Sequence, residues 1–482
     1  MIGFLSRSLR RAILAVAALL MIIVGLRVWD VQSGPPLGPW HEFVPPELPA
    51  ASLDRTDWAG WIAAEDAAFA ATRAAVTERL DPADRVAVNR WFDGSPVNPA
   101  RFARDWNRSF VLEPAGPPAG VAVFLHGLTD APFSLRHLAE AYRAQGFVAI
   151  AIRMPGHGMV PGGLTEAVWE DWLAATRLAV RAARARVPAG PLHLVGYSNG
   201  GALALKHALD AIEDARLPQA DRLVLLSPMV GVTAFARFAG LAGLPAFLPR
   251  FARAAWLDVL PEFNPFKFNS FPVNAARQTH RLPAALQAQL DRLARDGRLA
   301  TLPPVLTFQS VVDATVSTPA VLSRLYALLP DNGSELVLFD INRSVKFGPL
   351  FAAGADGALD RMLPAAARRH AVTVVGNDGD SLAAVARRIP AGGTQAEIRP
   401  LGVEWPRAIY SLSHVALPFP AGDGLYGGEP DPADALGVAL GAIAVRGERG
   451  VLVMDANHFA RITWNPFFPY LLERVREGLP RQ

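Results

Sequence analysis

One short stretch constrains the fold of this chain more than any other: Gly196-Tyr197-Ser198-Asn199-Gly200. An apolar Leu-His-Leu-Val run at 192–195 precedes it and a helix-forming Ala-Leu-Ala-Leu run at 202–205 follows, which predicts a buried strand, a sharp turn and a helix. A serine on such a turn adopts strained backbone angles, and a Cβ two residues to either side would collide with the neighbouring strand or helix. The spacing therefore predicts that Ser198 is lifted above a sheet, with the positive end of a helix dipole beside it.

A second motif lies upstream of this turn and belongs with it. The apolar run at 120–125 ends in His126-Gly127-Leu128-Thr129-Asp130, so a buried strand stops at a His-Gly pair. In this order and at this separation, the two motifs resemble those of the α/β-hydrolase superfamily, nearest to its branch of monoglyceride lipases and serine aminopeptidases. The resemblance covers about residues 109–340 and again 405–420. It implies that Ser198 is the nucleophile and that the backbone N–H groups of Leu128 and Asn199 form an oxyanion hole.

The resemblance also requires an acid and then a histidine after Ser198, in that chain order. A buried-strand pattern at 305–310 is followed by Val311-Val312-Asp313-Ala314-Thr315-Val316, which is similar to the acid loop of the family. Asp313 is therefore the predicted acid. Asp340, at the end of the next predicted strand, is the alternative.

Three histidines follow Asp313 along the chain: His370, His414 and His458. His414 comes directly after an apolar run, and its Ser-His-Val pattern looks like the histidine loop of the family. His414 is the predicted base, and its separation from Asp313 requires a long insertion between the two. His458, which also follows an apolar run, is the alternative.

The composition bounds the chemistry that the chain can perform. It has no cysteine, which excludes disulfides, thiolate metal sites and a cysteine nucleophile. Its 51% hydrophobic and 19% charged residues indicate a globular protein, and a net charge of +3 without a basic cluster beyond the N-terminus disfavours nucleic-acid binding. The family resemblance implies no metal and no organic cofactor. His126 and His157, which lie in predicted loops before Ser198, are expected to order the backbone rather than to transfer protons.

The first 33 residues predict a membrane segment. Arg7, Arg10 and Arg11 precede an apolar run at 12–26, and a Pro-rich spacer follows it. No small-residue cleavage site stands after the run. We therefore expect residues 1–33 to form an uncleaved signal anchor and spacer, with the rest of the chain on the periplasmic side of a bacterial inner membrane. A cleaved signal peptide and a secreted protein are the alternative.

The hydrophobic pattern divides the rest of the chain into three parts. Residues 34–115 are expected to form a helical arm, with a helix over 53–80 and an edge strand over 109–112. Residues 116–340 alternate strand and helix, which is typical of a mostly parallel, doubly wound α/β sheet. Its strands are predicted at 120–125, 147–152, 192–196, 222–227, 304–310 and 335–340, and its helices near 133–145, 166–187 and 200–212. Residues 341–482 form an insertion and a C-terminal part that carries the predicted histidine, with strands expected at 370–375 and 407–412.

An aromatic-rich stretch interrupts this alternation. It contains Phe235, Phe238, Phe247, Phe251, Trp256, Phe263, Phe266, Phe268 and Phe271. In the family that the motifs resemble, this part of the chain forms a cap. We therefore expect a cap at 229–300 that binds an acyl chain and excludes water.

These observations predict a serine hydrolase that cleaves carboxylic esters with a Ser-His-Asp triad and an acyl-enzyme intermediate. The expected substrate is a small acyl ester or a lipid-like molecule, and the expected membrane contact is the N-terminal helix. Two alternatives remain open. One is an amide or peptide hydrolase of the same fold, and the other is a membrane-anchored binding protein without catalysis.

Overall fold

A β-sheet lies at the centre of the molecule and positions the elements around it. The computed structural model describes residues 9–19, 21–22, 25, 34–231, 249–344, 357–364, 366–434, 436–441 and 461–480. The strands of these residues, in chain order, are β1 (Phe110–Leu112), β2 (Gly120–Leu125), β3 (Phe147–Ile152), β4 (Leu192–Tyr197), β5 (Arg222–Leu226), β6 (Trp256–Asp258), β7 (Phe271–Pro272), β8 (Val305–Ser310), β9 (Glu335–Phe339), β10 (Ala371–Asn377), β11 (Ala383–Ile389) and β12 (Glu397–Glu404). In this part of the chain β6 and β7 pair separately, and the other ten form one sheet in the order β1-β3-β2-β4-β5-β8-β9-β10-β11-β12.

The middle of the sheet is parallel. Strands β3, β2, β4, β5, β8, β9 and β10 pair in parallel, whereas β1 at one edge and β11 and β12 at the other are antiparallel. The carboxyl ends of the parallel strands therefore meet at one edge of the sheet, where ligands bind in open α/β folds. The predicted mostly parallel sheet is confirmed.

Helices cover both faces of the sheet. The α-helices of five or more residues are α1 (Trp58–Ala75), α2 (Arg136–Ala144), α3 (Trp169–Arg186), α4 (Asn199–Glu213), α5 (Val273–Arg295), α6 (Ala358–Met362) and α7 (Phe468–Arg476). Very short α-helices and other helical segments are Pro39–Glu42, Ala50–Leu53, Thr77–Arg79, Pro82–Asp84, Pro99–Arg101, Pro132–Leu135, Pro161–Thr165, Pro249–Ala255, Arg298–Thr301, Thr318–Ala320, Val321–Tyr326, His414–Ala416 and Pro432–Asp434.

The side chains of each central strand alternate between two cores. Along β2, Val121 and Val123 pack with residues of α3, α4 and α5 on one face. Their neighbours Ala122 and Phe124 pack with residues of α2 and α7 on the other face. Every residue of β2 is buried, because helices cover the sheet on both faces. This burial explains why the sequence of β2 is a continuous apolar run.

The C-terminal part differs from its sequence-based description. Strand β10 lies where a strand was expected at 370–375, but the strand expected at 407–412 is wrong. A turn closes there, because the N–H of Ile409 donates to the carbonyl oxygen of Pro406. Strands β11 and β12 were not predicted. Strand β11 contains two arginines near its end and β12 is mostly exposed, and neither shows a clear apolar alternation, so their pairing beyond β10 makes them strands.

The predicted cap range 229–300 needs a correction at its C-terminal end. In α5, which occupies much of that end, Leu282, Leu286 and Leu290 recur at helical spacing and join the same core as Leu203 of α4. Helix α5 is therefore part of the core, where it packs against α4 and α3, and not part of a cap. The first part of the range, 232–248, lies outside the described residues.

At the N-terminus, residues 9–19 are helical and carry exposed apolar side chains, among them Leu9, Ile13 and Leu14. Much of the predicted membrane segment, including 20, 23–24 and 26–33, lies outside the described residues. Among the described residues, no helix has the length and apolarity that a membrane span needs. Helix α1 lies within the helix expected at 53–80, and it begins after Asp57, whose carboxylate accepts the N–H of Gly60.

Candidate active site

The backbone at the end of β4 places Ser198 on a turn that glycines must flank. Ser198 has a φ of 55° and a ψ of −113°, a conformation that residues with a side chain rarely adopt. A Cβ on Gly200 would lie 1.9 Å from the carbonyl oxygen of Leu125, and a Cβ on Gly196 would lie 2.5 Å from that of Gly200. The backbone leaves no room for either side chain, so the Gly-x-Ser-x-Gly spacing is a steric requirement of this turn.

The turn is joined to the sheet on one side and to helix α4 on the other. The N–H of Ser198 donates to the carbonyl oxygen of Leu226 at 2.9 Å, and α4 begins at the next residue, Asn199. The first N–H groups of a helix have no partner within it and lie at the positive end of its dipole. Ser198, which is 8% exposed, therefore stands where negative charge is stabilised.

The loop after β2 lies against this turn. A Cβ on Gly127 would be 3.3 Å from the Cβ of Ser198, which places the following residue, Leu128, beside the start of α4. Among the described residues, the N–H groups of Leu128 and Asn199 have no hydrogen-bond acceptor. The structure thus brings together the predicted nucleophile and both predicted oxyanion-hole residues. Their roles stay predictions.

Two buried histidines stabilise the loops around the turn. His126 accepts the N–H of Met154 at Nε2 (3.0 Å), so its Nδ1 carries the hydrogen and donates to the carbonyl oxygen of Gly127 (2.8 Å). Burial lowers the pKa of His126 to about 4, which keeps the ring neutral. His157 contacts the carbonyl oxygen of Pro155 through Nδ1 and is also fully buried. Both rings order the backbone, as the sequence indicates.

Asp313 lies in the loop after β8, and its carboxylate accepts five hydrogen bonds. Oδ1 accepts the N–H groups of Thr315 (2.8 Å) and Val316 (2.9 Å), and Oδ2 accepts His414 Nδ1 (2.9 Å), Ser227 Oγ (2.8 Å) and Gln309 Nε2 (3.1 Å). Burial alone would raise the pKa of Asp313, but the hydrogen bond and charge of His414 outweigh it, and the pKa lies below its ordinary value. Asp313 therefore stays ionised and can orient an imidazole.

His414 is joined to Asp313 although 101 positions separate them in the sequence. It begins the short helical segment His414–Ala416 and is 4% exposed. Its ring centre lies 5.2 Å from that of Tyr197, the residue before Ser198, and the Tyr197 hydroxyl donates to the carbonyl oxygen of His414 at 3.4 Å. Because Nδ1 is bound to Asp313, Nε2 is the nitrogen that remains for a reacting hydroxyl.

The other candidate acids and bases are placed differently. Asp340 forms an ion pair with Arg343, with 2.8 Å between Oδ2 and Nε. His370 precedes β10 and packs on the ring of Tyr326, so it lies at the amino end of the parallel strands, opposite to Ser198. His458 lies outside the described residues.

Sequence reasoning missed two residues that contact the acid. Ser227 follows β5 with a φ of 43°, and Gln309 is the second-last residue of β8. Both are buried and both donate to Oδ2 of Asp313. A polar residue at the carboxyl end of an apolar strand was the available signal, because such positions face the ligand edge of an α/β sheet.

A cavity of about 500 Å³ lies next to the site. Thr129, Tyr197 and Val415, which are sequence neighbours of the predicted site residues, line it. Its wall is largely apolar and aromatic, with Phe263, Phe268, Phe271, Phe419, Ile409 and Trp464. Part of the predicted aromatic cap, around residues 256–271, thus faces a cavity of a size that suits a small organic substrate.

One group among the described residues has the composition of a metal site. The ligand atoms of His137, Asp423 and Asp434 lie within 4.8 Å of one another. Arg136, however, donates to both carboxylates at 2.6 Å, so its guanidinium already supplies the positive charge. These residues join α2 to the C-terminal part and do not fit a metal.

Known proteins match the part of the chain that contains the Ser198 turn and the Asp313 loop. Residues 116–327 match the family described as serine aminopeptidase, S33. Over 177 residues the chain is 29% identical to a thermostable monoacylglycerol lipase from Bacillus sp. (strain H-257), and the match covers 36% of this chain and 66% of that lipase.

Two solved structures are also similar. A metagenome-derived lipolytic enzyme, from the pair LipS and LipT, is 19% identical over 53% of this chain and 97% of its own, with a TM-score of 0.39. A soluble variant of monoglyceride lipase from Saccharomyces cerevisiae is 15% identical over 48% of this chain and 81% of its own, with a TM-score of 0.37.

The mostly parallel sheet and the strained serine turn give the chain an α/β-hydrolase fold. Its residues 116–327 match the S33 serine aminopeptidase family, and over 177 residues it is similar to a monoacylglycerol lipase.

Proposed function

We propose that this protein is a serine hydrolase that cleaves carboxylic esters through an acyl-enzyme. Ser198 Oγ attacks the ester carbonyl while its proton passes to Nε2 of His414, and Asp313 holds the imidazole at Nδ1. The N–H groups of Leu128 and Asn199 stabilise the oxyanion. The C–O bond to the alcohol then breaks, and His414 returns the proton to the leaving alcohol. Water, deprotonated by His414, releases the acid and restores Ser198.

One observation carries the proposal: Asp313 Oδ2 and His414 Nδ1 lie 2.9 Å apart at the edge of the sheet where the Ser198 turn lies. If the contact between Asp313 and His414 were only structural, a pair of uncharged side chains could replace it. A buried carboxylate that orients an imidazole near a strained serine therefore indicates catalysis. The aromatic cavity beside the turn and the similarity to monoacylglycerol lipases favour an acyl ester as substrate.

The nucleophile is tested with a fluorophosphonate probe, which forms a covalent bond to an activated serine. We expect the wild-type protein to be labelled and the Ser198→Ala variant to remain unlabelled. Hydrolysis of p-nitrophenyl butyrate should fall roughly 10⁴-fold or more in that variant, because no nucleophile remains. Equal labelling of both proteins contradicts the proposal, and faster hydrolysis of aminoacyl p-nitroanilides than of the ester shows an amidase instead.

The base is tested by comparing three histidine variants. His414→Ala should lower kcat by a similar factor, since Ser198 loses its proton acceptor. His370→Ala is the matched control, because this buried histidine lies at the opposite edge of the sheet. Full activity in His414→Ala together with its loss in His458→Ala assigns the base to His458.

We also propose that the N-terminal segment holds the protein at the bacterial inner membrane, with the hydrolase domain on the periplasmic side. The exposed apolar side chains on residues 9–19 and the neighbouring arginines support this. The full-length chain should sediment with membranes and be digested by protease added to spheroplasts, whereas a chain that begins at residue 34 should not sediment. A full-length chain that stays in the soluble fraction after cell breakage contradicts membrane anchoring.

A further inference from the structure

The cavity beside Ser198 contains charged groups that the proposed mechanism does not use. Lys267 and Asp130 both line it, within a wall that is otherwise mainly apolar and aromatic. Burial lowers the pKa of Lys267 and raises the pKa of Asp130 to about 6, so each charge is held there against a desolvation penalty. Charged side chains that line a proposed substrate cavity are candidates for binding a polar group of the substrate.

A backbone hydrogen bond joins the segment of Lys267 to the predicted oxyanion loop. The next residue, Phe268, donates its N–H to the carbonyl oxygen of Thr129 at 2.7 Å, and Thr129 directly follows the predicted oxyanion-hole residue Leu128. The Lys267 backbone is therefore attached to the oxyanion loop. Lys267 lines the same cavity as Tyr197, the residue before Ser198.

The Lys267 ammonium has no protein acceptor in the described part of the chain. No hydrogen bond or ion pair joins it to another described residue, although Asp130 is near enough to raise its pKa. One oxygen of Asp130 accepts the N–H of Ala131 instead, at 2.9 Å. The ammonium of this half-buried side chain, which lines the cavity, thus keeps donors for which a ligand can supply the acceptor.

The wall carries two cations, Lys267 and Arg461, and two carboxylates, and neither carboxylate is bonded to the Lys267 ammonium. Arg461 also lines the cavity and lowers the pKa of Lys267, so a second positive charge is near, and its recorded hydrogen bond is to the neutral hydroxyl of Thr315. Asp130 supplies the opposing charge beside Lys267, whereas Asp258, the other carboxylate of the wall, is exposed to solvent, as Arg461 is. The hydroxyl group of Tyr426 is bound to Asn264 and carries no charge, since burial raises its pKa.

We propose that this cavity binds esters that carry a carboxylate a few carbon atoms from the scissile carbonyl, and that Lys267 is the residue that selects them. The ammonium donates to the substrate carboxylate while the aromatic wall covers the connecting methylene groups. This inference rests on the proposed ester hydrolysis and names the substrate class of the same site. Charge-assisted hydrogen bonds of this kind, formed away from water, are stronger than neutral ones.

The test compares esters that differ only in the carboxylate. The first pair is p-nitrophenyl hexanoate and the p-nitrophenyl half-ester of adipate, which places the carboxylate on the acyl part. The second pair is butyl butyrate and 4-butyryloxybutanoate, which places it on the alcohol. The variants are Lys267→Met and Lys267→Gln, with Lys206→Met as the matched control, because Lys206 pairs with Asp210 outside the cavity. Thermal unfolding of each variant shows that it is folded.

In one of the two pairs, we expect the wild-type protein to hydrolyse the ester that carries the carboxylate with a kcat/KM at least about tenfold higher than that of the neutral ester. Lys267→Met and Lys267→Gln should remove this preference and change the neutral ester by less than about threefold, and Lys206→Met should change neither. A second readout needs no turnover: adipamate, and not hexanamide, should slow fluorophosphonate labelling of the wild type and lose this effect in Lys267→Met.

The outcomes separate this inference from the proposed function. If neutral esters are hydrolysed and neither pair shows a preference that depends on Lys267, the carboxylate site is wrong while ester hydrolysis stands. If no ester is hydrolysed and the probe does not label Ser198, the proposed function is wrong. If the probe labels Ser198 and adipamate gives no protection, the carboxylate site is again wrong.

Discussion

Ser198 is held by its neighbours in the chain, whereas His414 is held by residues that are distant in the sequence. The turn at Ser198 is fixed by Gly196 and Gly200, two residues away on either side, and by strands that pack around β4. The carboxyl edge of a parallel sheet and the first turn of a helix are enough to define this position.

The loop of His414 depends on several separate contacts. The Oγ of Ser310 at the end of β8 donates to the carbonyl oxygen of Leu412 at 2.8 Å, and the N–H of Asn342 donates to that of Tyr410 at 2.7 Å. Farther along, the side chain of Asp423 is paired with Arg136 of α2. The C-terminal part is thus attached to the core by contacts that no short sequence motif predicts.

The difference separates two kinds of constraint on a site. A steric constraint from the local backbone is absolute, and it leaves a spacing of residue types that can be read in the sequence. A constraint built from hydrogen bonds and ion pairs is shared among many residues, each worth about 1 kcal/mol or a few. Substitutions in the turn at Ser198 should therefore lower stability far more than single substitutions around the loop of His414.

The largest effect is expected for Gly200→Ala. Alanine would improve the helix propensity of this position by about 1 kcal/mol, but its Cβ would lie 1.9 Å from the backbone oxygen of Leu125. The backbone cannot yield by that much, so we expect a loss of roughly 4 kcal/mol or more in the free energy of unfolding, or failure to fold. Urea unfolding followed by circular dichroism measures it.

Gly116→Ala is the matched control, because nothing lies within 4 Å of the added Cβ. It should change the free energy of unfolding by no more than about 0.5 kcal/mol. A small and equal effect of both substitutions would contradict the steric constraint, since it would show that the turn at Ser198 accommodates a Cβ at Gly200.

The same distinction explains how much the sequence predicts. Ser198, Leu128 and Asn199 follow from short motifs, and the core strands follow from apolar runs that are buried on both faces. Strands β11 and β12 were missed, because antiparallel pairing with the preceding strand rather than a clear apolar alternation makes them strands.

The acid and the base were found from the sequence in unequal ways. Asp313 follows an apolar strand, which is a local signal. His414 could be chosen among three histidines only through a family resemblance, because it stands 101 positions after Asp313 and no sequence pattern determines their contact. Ser227 and Gln309, which complete the set of donors to Asp313, have no signal beyond their place at strand ends.

An intermediate effect is expected for Asp423→Asn, which sharpens the comparison from the C-terminal side. The Asp423 side chain is fully buried and accepts from Arg136 (2.6 Å) and His137 (2.8 Å). An isosteric amide leaves the guanidinium buried with half of its counter-charge. We expect a loss of about 3 kcal/mol in the free energy of unfolding at pH 7, measured by urea titration.

The pH dependence of that loss has a defined sign. Burial alone would raise the pKa of Asp423, but the hydrogen bond from His137 and the charge of Arg136 outweigh it and lower the pKa. A lowered pKa in the folded state stabilises the protein above the ordinary pKa near 4, and this contribution is lost as the pH falls toward the lowered value. The difference between wild type and Asp423→Asn should therefore shrink between pH 5 and pH 3.

Asp434→Asn provides the control for this pair, since it removes the other carboxylate bound to Arg136 from a side chain that is 35% exposed. It should lower the free energy of unfolding by about 1 kcal/mol or less. A difference between wild type and Asp423→Asn that grows as the pH falls would contradict the assigned sign.

The smallest effect is expected for Ser310→Ala, which tests whether the histidine loop has one essential contact or several shared ones. The variant removes the 2.8 Å hydrogen bond to the carbonyl oxygen of Leu412, two residues before His414, and leaves that oxygen buried. The free energy of unfolding should fall by about 1 kcal/mol. Because Asn342 and Tyr197 still hold the loop, kcat for p-nitrophenyl butyrate should fall only about two- to fivefold, with KM unchanged.

Ser323→Ala removes a hydrogen bond of the same 2.8 Å length from an exposed hydroxyl, and it should leave both quantities within error. A hundredfold loss of kcat in Ser310→Ala would mean that the position of His414 depends on a single bond, as strictly as Ser198 depends on its glycines. Because a hydroxyl donor can be replaced by water where a steric requirement cannot, we expect the partial loss instead.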